Sequence, residues 1–166
     1  MPDKKMYSKV MDLHTFCIFY LDISPGYGEE MLQVFIEYKS GKIKIREDVV
    51  MKGEAVGGGF FATTKREFKR INKGNSEASI IFKTLGIGKM EVCNDCVVLH
   101  FFATDDEVRK PTKDDARGDE NWVAGGKTKN LITGTTDEGV EEVVIKPLSA
   151  KDRIKGVDYV GHVGYN

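Results

Sequence analysis

Cysteine, tryptophan and proline are scarce in this 166-residue sequence, which has three cysteines, one tryptophan and four prolines. A small, odd number of cysteines argues against a disulfide framework and favours a reducing compartment. Long apolar runs are also lacking: none approaches the roughly 18 residues of a membrane-spanning helix, and the first residues lead into no apolar signal segment. We therefore expect an intracellular protein, in the nucleus or the cytoplasm, that has no membrane partner.

An excess of either charge is lacking as well. Lysine and arginine number 25 against 26 for aspartate and glutamate, which gives a net charge of −1. This balance argues against a broad electrostatic footprint for nucleic acid, although a local basic patch remains at residues 65–73. The hydrophobic content of 40% and the charged content of 31% are those of an ordinary globular protein. At this length we expect one domain over residues 1–166.

What the sequence does contain is a series of short runs rich in β-branched and aromatic residues, separated by glycine, proline and polar residues. This pattern is typical of strands. It predicts strands over residues 16–23, 31–38, 42–46, 49–56, 96–103 and 140–148, with 79–85 and 89–92 as two more. We also expect residues 13–20 to pair with 140–145. The predicted fold is therefore dominated by an antiparallel sheet.

One short helix is predicted near residues 64–73. Thr64 and Glu67 have the capping-box spacing, in which a hydroxyl and a carboxylate satisfy exposed N–H groups of a first turn. Phe68 and Ile71 are three residues apart and therefore share one side of such a helix. Together with the sheet, this helix places the protein in the α+β class.

Two segments are expected to lack regular structure. Residues 1–12 are mostly polar and charged, so we interpret them as a mobile lead-in. Residues 105–130 are charged, glycine-rich and nearly free of apolar side chains, which predicts a long surface loop. The tail after residue 150 holds enough valine and tyrosine to dock on the sheet.

Cysteine and histidine form the most chemical pattern in the sequence. His14-x-x-Cys17 and Cys93-x-x-Cys96 together supply four ligands of the kinds that bind a tetrahedral zinc ion. Two thiolates from a tight turn at 93–96 would reach one metal, whereas residues three apart on a strand point to opposite faces, which weakens the first pair. The alternative is that Cys17 and Cys96 are small core residues. Both interpretations stay open at this point.

No set of residues converges on a catalytic mechanism. The sequence shows no paired catalytic carboxylates and no nucleophile with a base at an informative spacing. Gly57-Gly58-Gly59 precedes the predicted helix and could cradle an anion, but it lacks the lysine and hydroxyl residue that end a P-loop. A flexible strand-to-helix connection is the simpler interpretation. We therefore predict a protein that is not an enzyme and has no cofactor, unless zinc is bound.

Several short motifs in the first half are informative as an ordered set. They are Phe19-Tyr20-Leu21, Tyr27-Gly28-Glu29-Glu30-Met31-Leu32, Gly41-Lys42-Ile43-Lys44, Asp48-Val49-Val50-Met51 and Glu67-Phe68-Lys69-Arg70-Ile71. In this order they resemble the opening strand, the turn into the second strand, the Gly-Lys hairpin, the next strand and the first helix of the Mago nashi family, the core subunit of the exon junction complex. The second half departs from that pattern, because it lacks the long apolar helix with which the family ends.

The resemblance implies a non-enzymatic scaffold in an RNA-processing ribonucleoprotein assembly. Its partner would be a protein with an RNA-recognition domain, and it would meet RNA only indirectly. The predicted helix offers the docking surface, with the candidate residues Lys65, Arg66, Phe68, Lys69 and Arg70. An alternative of another class is an all-β barrel or sandwich that binds a small ligand, with zinc as a stabilising ion in one version.

Overall fold

The computed structural model describes residues 4–23, 44–72, 95–116 and 141–162, together with Gln33, Glu37, Ser40, Lys129–Asn130 and Gly134–Thr135. Its strands are β1 (Lys4–Asp12), β2 (Val50–Met51), β3 (Phe60–Thr64), β4 (Asp95–Thr104), β5 (Val108–Arg109), β6 (Lys129–Asn130), β7 (Gly134–Thr135), β8 (Glu142–Ile145), β9 (Leu148–Ser149) and β10 (Ile154–His162).

The α-helices in the same residues are short: α1 (Leu13–Tyr20), α2 (Lys65–Asn72) and α3 (Ala150–Arg153). Single 3-10 turns lie at Val56–Gly58, Asp105–Glu107 and Lys113–Ala116. Within the described ranges, no helix has both the length and the apolar character that crossing a membrane requires.

Six strands form one sheet in the order β10-β4-β1-β3-β8-β5, and each neighbouring pair is antiparallel. β1 and β4 are adjacent interior strands, and their pairing runs without a break from Lys4 opposite Thr104 to Asp12 opposite Cys96. The two smaller pairs, β2 with β9 and β6 with β7, are also antiparallel. The prediction of an α+β fold dominated by an antiparallel sheet is confirmed.

The large sheet has two covered faces. On the α1 face, α1 packs on a cluster of buried side chains that includes Phe60 and Phe101. On the α2 face, α2 packs on Val10 and Val98. Because side chains alternate along a strand, the odd-numbered residues of β1 and β4 point to the α1 face and the even-numbered ones to the α2 face.

β1 corrects the expectation that residues 1–12 form a mobile lead-in, because Lys4–Asp12 is a central strand. Its lysines are compatible with this position, since a long side chain packs its stem on apolar atoms while the ammonium group finds polar partners. Lys9 shows how: Nζ donates to the Phe61 carbonyl at 3.1 Å and lies 5.5 Å from the centre of the Phe60 ring. The strand is held on both sides, by β3 and β4.

α1 corrects a second expectation, the strand predicted over residues 16–23. Its buried residues are Leu13, Phe16, Cys17 and Tyr20, which occupy the i, i+3, i+4 and i+7 positions of one helical side. That spacing lies inside a nearly continuous apolar run, which suits a strand and a buried helix equally. Residues 13–20 therefore do not pair with 140–145, and β8 lies between β3 and β5 instead.

The remaining predictions of the first half are tested only in part. Most of residues 31–38 lie outside the described residues, and the two that are described, Gln33 and Glu37, are helical instead of extended. Residues 44–46 have no regular structure, and the strand predicted over 49–56 is reduced to β2. The strands predicted over 79–85 and 89–92 also lie outside the described residues.

The apolar runs of the second half agree better with their predictions. β4 contains the whole of the predicted strand 96–103, and its side chains from Val97 to Leu99 have no exposed surface. The run at 140–148 is divided into β8 and β9, with Pro147 between them. The tail docks on the sheet, because β10 pairs with β4.

Residues 105–116 are ordered, which corrects that part of the surface loop expected over 105–130. The Glu107 carboxylate accepts the backbone N–H of Thr104 at 2.9 Å. It also accepts both terminal nitrogens of Arg153, at 2.6 and 2.9 Å. The hydrogen bond from Arg153 is the main reason that the pKa of Glu107 falls to about 2. Residues 117–128 lie outside the described residues.

Candidate functional site

α2 forms where the capping pattern predicts it. The Thr64 hydroxyl accepts the backbone N–H of Glu67 at 3.1 Å, which satisfies one donor of the first turn. Lys69 and Arg70 lie in the last turn, where positive charge complements the helix dipole. The Glu67 carboxylate pairs with the Arg70 guanidinium. The predicted helix near 64–73 is thus present and stabilised at both ends.

Two apolar residues fix α2 on the sheet. Phe68 and Ile71 are each 4% exposed and pack on Val10 and Val98. The Phe68 ring also meets the imidazole of His100 edge-on, with 6.1 Å between the ring centres. Phe68 was a candidate partner-binding residue, and its burial corrects that prediction: it holds the helix in place and is not available to a partner.

The other side of α2 is a basic face, which consists of Lys65, Arg66, Lys69 and Arg70. Arg66, Lys69 and Arg70 are exposed, and Lys65 is half-buried. Arg70 pairs with Glu67, whereas the other three form no ion pair within the described residues. The sheet therefore presents a fixed helix with uncompensated positive charge.

A row of polar side chains crosses the α2 face of the sheet. His100, Ser8, Thr63 and Glu142 lie directly opposite one another on the adjacent strands β4, β1, β3 and β8. We call these four residues the polar row. Ser8, Thr63 and His100 are buried, at 2%, 4% and 7% exposure. Buried polar groups in a sheet are expected to be hydrogen-bonded, so their partners define what the row does.

One half of the polar row is a hydrogen-bonded network. Nδ1 of His100 is 2.9 Å from the Ser8 hydroxyl, and Nε2 is 2.7 Å from a carboxylate oxygen of Asp158 on β10. Because an ionised carboxylate only accepts, Nε2–H donates to Asp158. In a neutral imidazole Nδ1 then accepts the Ser8 proton. The network joins β1, β4 and β10 through side chains.

In this set of serine, histidine and aspartate, the serine is buried and the aspartate is exposed, which is the reverse of a catalytic triad. The Asp158 side chain is 72% exposed, whereas Ser8 is 2% exposed and lies on the sheet face that α2 covers. A nucleophilic serine must reach its substrate, and an orienting carboxylate acts best when it is buried. We therefore interpret this set as a structural network.

At the β8 end of the polar row, the Glu142 carboxyl is not fully hydrogen-bonded. Oε1 of Glu142 is buried and has no hydrogen-bond partner among the described residues. Burial raises the pKa of Glu142 to about 7, and the negative charge of Asp115 contributes a smaller part of this increase. Such a carboxyl can exchange a proton near neutral pH.

Asp115 is held by an anchor close to this carboxyl. Its carboxylate accepts both terminal nitrogens of Arg109, at 2.7 and 2.6 Å, and the backbone N–H groups of Thr112 and Val56, at 2.7 and 3.0 Å. The Arg109 bond is the main cause that holds the pKa of Asp115 well below its usual range. The anchor ties the turn Val56–Gly58 to the segment after β5.

A cleft of about 430 Å³ lies beside this anchor. Its lining includes Val56, Val108, Arg109, Val144, Lys146 and Pro147. The cleft is at the β5 end of the sheet, and the linear strand order places β10 at the opposite end. The described sheet is thus open, so the barrel version of the small-ligand alternative does not match it.

The proposed zinc ligands are only partly brought together. His14 and Cys17 lie three residues apart on the helix α1 and therefore share one side of it. The argument that residues three apart on a strand point to opposite faces does not apply to this pair. Cys17, however, packs on the α1 face, whereas strand alternation directs Cys96 to the α2 face. Cys93 lies outside the described residues.

The surroundings of Cys17 favour the thiol over the thiolate when no metal is bound. Burial, with a smaller effect of Asp12, raises the pKa of Cys17 to about 11, and thiolate is the form that binds metal. The described ranges contain no group of three or more histidine, cysteine or acidic residues placed to hold a metal ion. Because Cys93 is not among them, zinc binding stays a prediction.

Comparison with models of protein families, with curated proteins and with solved structures yields no match for this chain. The resemblance to the Mago nashi family therefore stays a prediction. Three of its motifs fall on described residues with regular structure. Residues 67–71 lie in α2 and Val50–Met51 form β2, as the resemblance implies. Phe19 and Tyr20, in contrast, lie in α1 and not in an opening strand.

Proposed function

We propose that this protein is a non-enzymatic scaffold that docks an acidic segment of a partner protein on the basic face of α2. The observation that carries the proposal is the contrast between the two sides of the helix. Phe68 and Ile71 are buried in the contact with the sheet, whereas Arg66 and Lys69 are exposed and have no ion pair in the described ranges.

The fixed position of the helix favours binding. Arg66, Lys69 and Arg70 are at i, i+3 and i+4, so neighbouring Cβ atoms are about 5–6 Å apart. A segment with successive carboxylates would contact them without distortion of the helix. Because α2 is already packed, binding orders only the ends of the cationic side chains, which keeps the entropic cost low. Such surface charges chiefly increase the rate and specificity of association.

The resemblance supports an RNA-processing ribonucleoprotein assembly as the setting. In that setting the acidic segment belongs to a protein that carries an RNA-recognition domain, and RNA is reached through it. Direct RNA binding by α2 is less favoured, because the net charge is −1 and one short helix neutralises few phosphates.

The test is binding of fluorescently labelled hexaglutamate, measured by anisotropy at low salt, with hexaglutamine as the neutral peptide. The Arg66→Glu plus Lys69→Glu variant should lower the affinity for hexaglutamate by at least about tenfold, since attraction becomes repulsion. The matched control is Lys52→Glu plus Lys110→Glu, which changes the net charge equally at exposed positions outside α2.

An equal loss in both double variants would show that only net charge matters and would overturn the proposal. Binding that is untouched by the α2 variant would do the same. A pull-down with an RNA-recognition-domain protein extends the test to the expected partner. The Lys69→Glu plus Arg70→Glu variant should no longer bind this partner. Tighter binding of single-stranded RNA than of hexaglutamate would reassign the surface to nucleic acid.

A second candidate function, binding of a small ligand, has the cleft beside β5 in its favour. Its mostly apolar walls carry exposed charges of both signs, Asp106 and Lys146, which suits a compact, mainly apolar molecule. Titration of a fragment library against methyl-labelled protein tests this candidate. Saturable shifts at Val108 and Val144 are expected, and a library without any such shift would contradict it.

A further inference from the structure

The start of α2 lies next to the unpartnered end of the polar row. Glu142 lies opposite Thr63, and the next residue, Thr64, caps the helix through its hydroxyl. The Thr63 hydroxyl donates to the Glu141 carbonyl at 2.7 Å, so its proton is not available to the Glu142 carboxyl. Oε1 of Glu142 is buried and accepts no hydrogen bond from the part of the chain that the structure describes. The strand that leads into the helix cap therefore borders a half-buried carboxyl group whose Oε1 has no hydrogen-bond donor among the described residues.

On the β5 side of Glu142, the described elements offer it no counter-ion. Asp115, from the 3-10 turn after β5, places a second negative charge near Glu142. Arg109 of β5 points to the same face, because its partner residue is Val144, two positions after Glu142. Both terminal nitrogens of Arg109 are bound to Asp115. Its charge is therefore already matched by that carboxylate.

On the α2 side as well, no described charged group forms an ion pair with Glu142. In the first turn of α2, Glu67 pairs with Arg70, and Lys65 forms no ion pair with Glu142. Along the polar row, His100 is separated from Glu142 by β1 and β3 and is bound to Asp158. Just before β8, the neighbouring Glu141 is exposed.

We propose that Glu142 is a proton-operated switch for the basic face of α2, an inference that rests on the proposed function. With the proton bound, the carboxyl is neutral, remains beside Thr63 and leaves the Thr64 cap in place. Without the proton, the carboxylate is charged and its buried Oε1 has to reach water, because a buried charge without a partner is costly. That movement displaces the start of β8, and with it Thr63 and the cap of the helix.

Both consequences of ionisation weaken the docking of an acidic partner. A disturbed cap lets the first turn of α2 fray, so Lys65 and Arg66 lose their fixed positions. The added negative charge also lowers the positive potential around the helix. Since the pKa of Glu142 is raised to about 7, the change falls around neutral pH. Docking is therefore tighter on the acidic side of neutrality.

The first experiment follows the backbone amide resonances of α2 by NMR between about pH 5.5 and about pH 8.5, without any partner. In the wild type, the amides of residues 64–67 should move with a single midpoint near that of the Glu142 carboxyl. The Glu142→Gln variant keeps a neutral side chain of the same size and should lose this titration. The control, Glu141→Gln, removes the adjacent exposed carboxylate and should retain it. Identical titrations in wild type and Glu142→Gln would overturn the switch.

The second experiment measures hexaglutamate binding over the same pH range. Wild type and Glu141→Gln should lose affinity by at least about threefold from the acidic to the alkaline end, and Glu142→Gln should not. An equal loss in Glu142→Gln would overturn the switch while leaving the proposed function intact. If no variant binds the peptide at any pH, the proposed function fails, and the amide titration still decides whether Glu142 controls α2.

A direct readout covers the case in which Glu142→Gln does not fold. The carboxyl carbon of Glu142 is observed by ¹³C NMR in wild-type protein labelled at glutamate, and the helix amides are recorded in the same sample. Coincident midpoints of the carboxyl carbon and the amides of residues 64–67 support the switch. Midpoints that differ by more than about one pH unit would overturn it.

Discussion

Ser8 and His100 lie directly opposite each other on two interior strands of the sheet, and the Ser8 hydroxyl is 2.9 Å from Nδ1 of the imidazole. The second ring nitrogen is 2.7 Å from Asp158. His100 thus connects a buried hydroxyl on a central strand with an exposed carboxylate on an edge strand. Because Phe68 packs against the same imidazole, the position of α2 depends on this network.

Loss of the Ser8 hydroxyl should destabilise the fold. Ser8→Ala leaves Nδ1 of His100 buried without its partner, and the expected loss is about 1–3 kcal/mol of unfolding free energy. Asp158→Asn should cost less, at most about 1 kcal/mol, because that side chain is exposed and water can replace it. Urea denaturation of both variants measures the difference. A larger loss for Asp158→Asn than for Ser8→Ala would contradict the structural role assigned to the network.

The polar row could not be predicted from the sequence. Its residues come from separate segments, and only the strand registers of β1, β3, β4 and β8 place them side by side. One local signal existed: His100 interrupts an otherwise apolar run in β4. A buried polar residue in such a run needs a partner, but the sequence does not say which. Pairing between distant strands supplies that information.

Removal of the Asp115 charge should release the turn Val56–Gly58. Asp115→Asn loses the ion pair with Arg109 and puts a donor where the carboxylate accepts backbone N–H groups, so a loss of about 2–4 kcal/mol is expected. Asp114→Asn, an exposed neighbour, is the matched control and should change little. Because the pKa of Asp115 is lowered in the folded state, its contribution is present above its ordinary pKa and is lost as the pH falls below it. Thermal unfolding at neutral and acidic pH measures both effects, and equal stability of Asp115→Asn and wild type would contradict the anchor.

The fold class and α2 could be predicted because their signals are local. Thr64, Glu67, Phe68 and Ile71 define a cap and a buried side within eight residues. α1 and β1 could not be assigned in this way, for two different reasons. In α1, a nearly continuous apolar run hides the helical spacing, and length and flanking residues do not resolve it. In β1, the lysines suggest exposure, whereas the long stem of Lys9 lets a central strand carry charge.

Replacement of Gly59 or Gly57, two glycines before β3, by alanine should destabilise the fold for different reasons and by different amounts. A Cβ at Gly59 would lie 2.8 Å from the Ile145 carbonyl oxygen and 2.8 Å from Val144 Cγ1, so Gly59→Ala forces β3 and β8 apart and should cost about 2 kcal/mol or more. A Cβ at Gly57 would meet nothing within 4 Å, but its φ of +79° makes Gly57→Ala cost about 1–2 kcal/mol. Urea denaturation compares the two variants. A milder effect at Gly59 than at Gly57 would contradict the close contact.

Glu142 should make the fold less stable as the pH rises. Its pKa is raised from 4.5 to about 7 in the folded state, so between these values the folded chain holds a proton that the unfolded chain has released. The unfolding free energy therefore decreases between about pH 4.5 and about pH 7 and levels off above, with an upper bound of about 3 kcal/mol. The lowered pKa values of Glu107 and Asp115 act at more acidic pH and do not mask this slope. Glu142→Gln should abolish the decrease and be more stable than wild type at about pH 8, whereas Glu141→Gln should keep it. Urea denaturation across the pH range measures the slope, and parallel curves for wild type and Glu142→Gln would show that this carboxyl is solvated in the folded state.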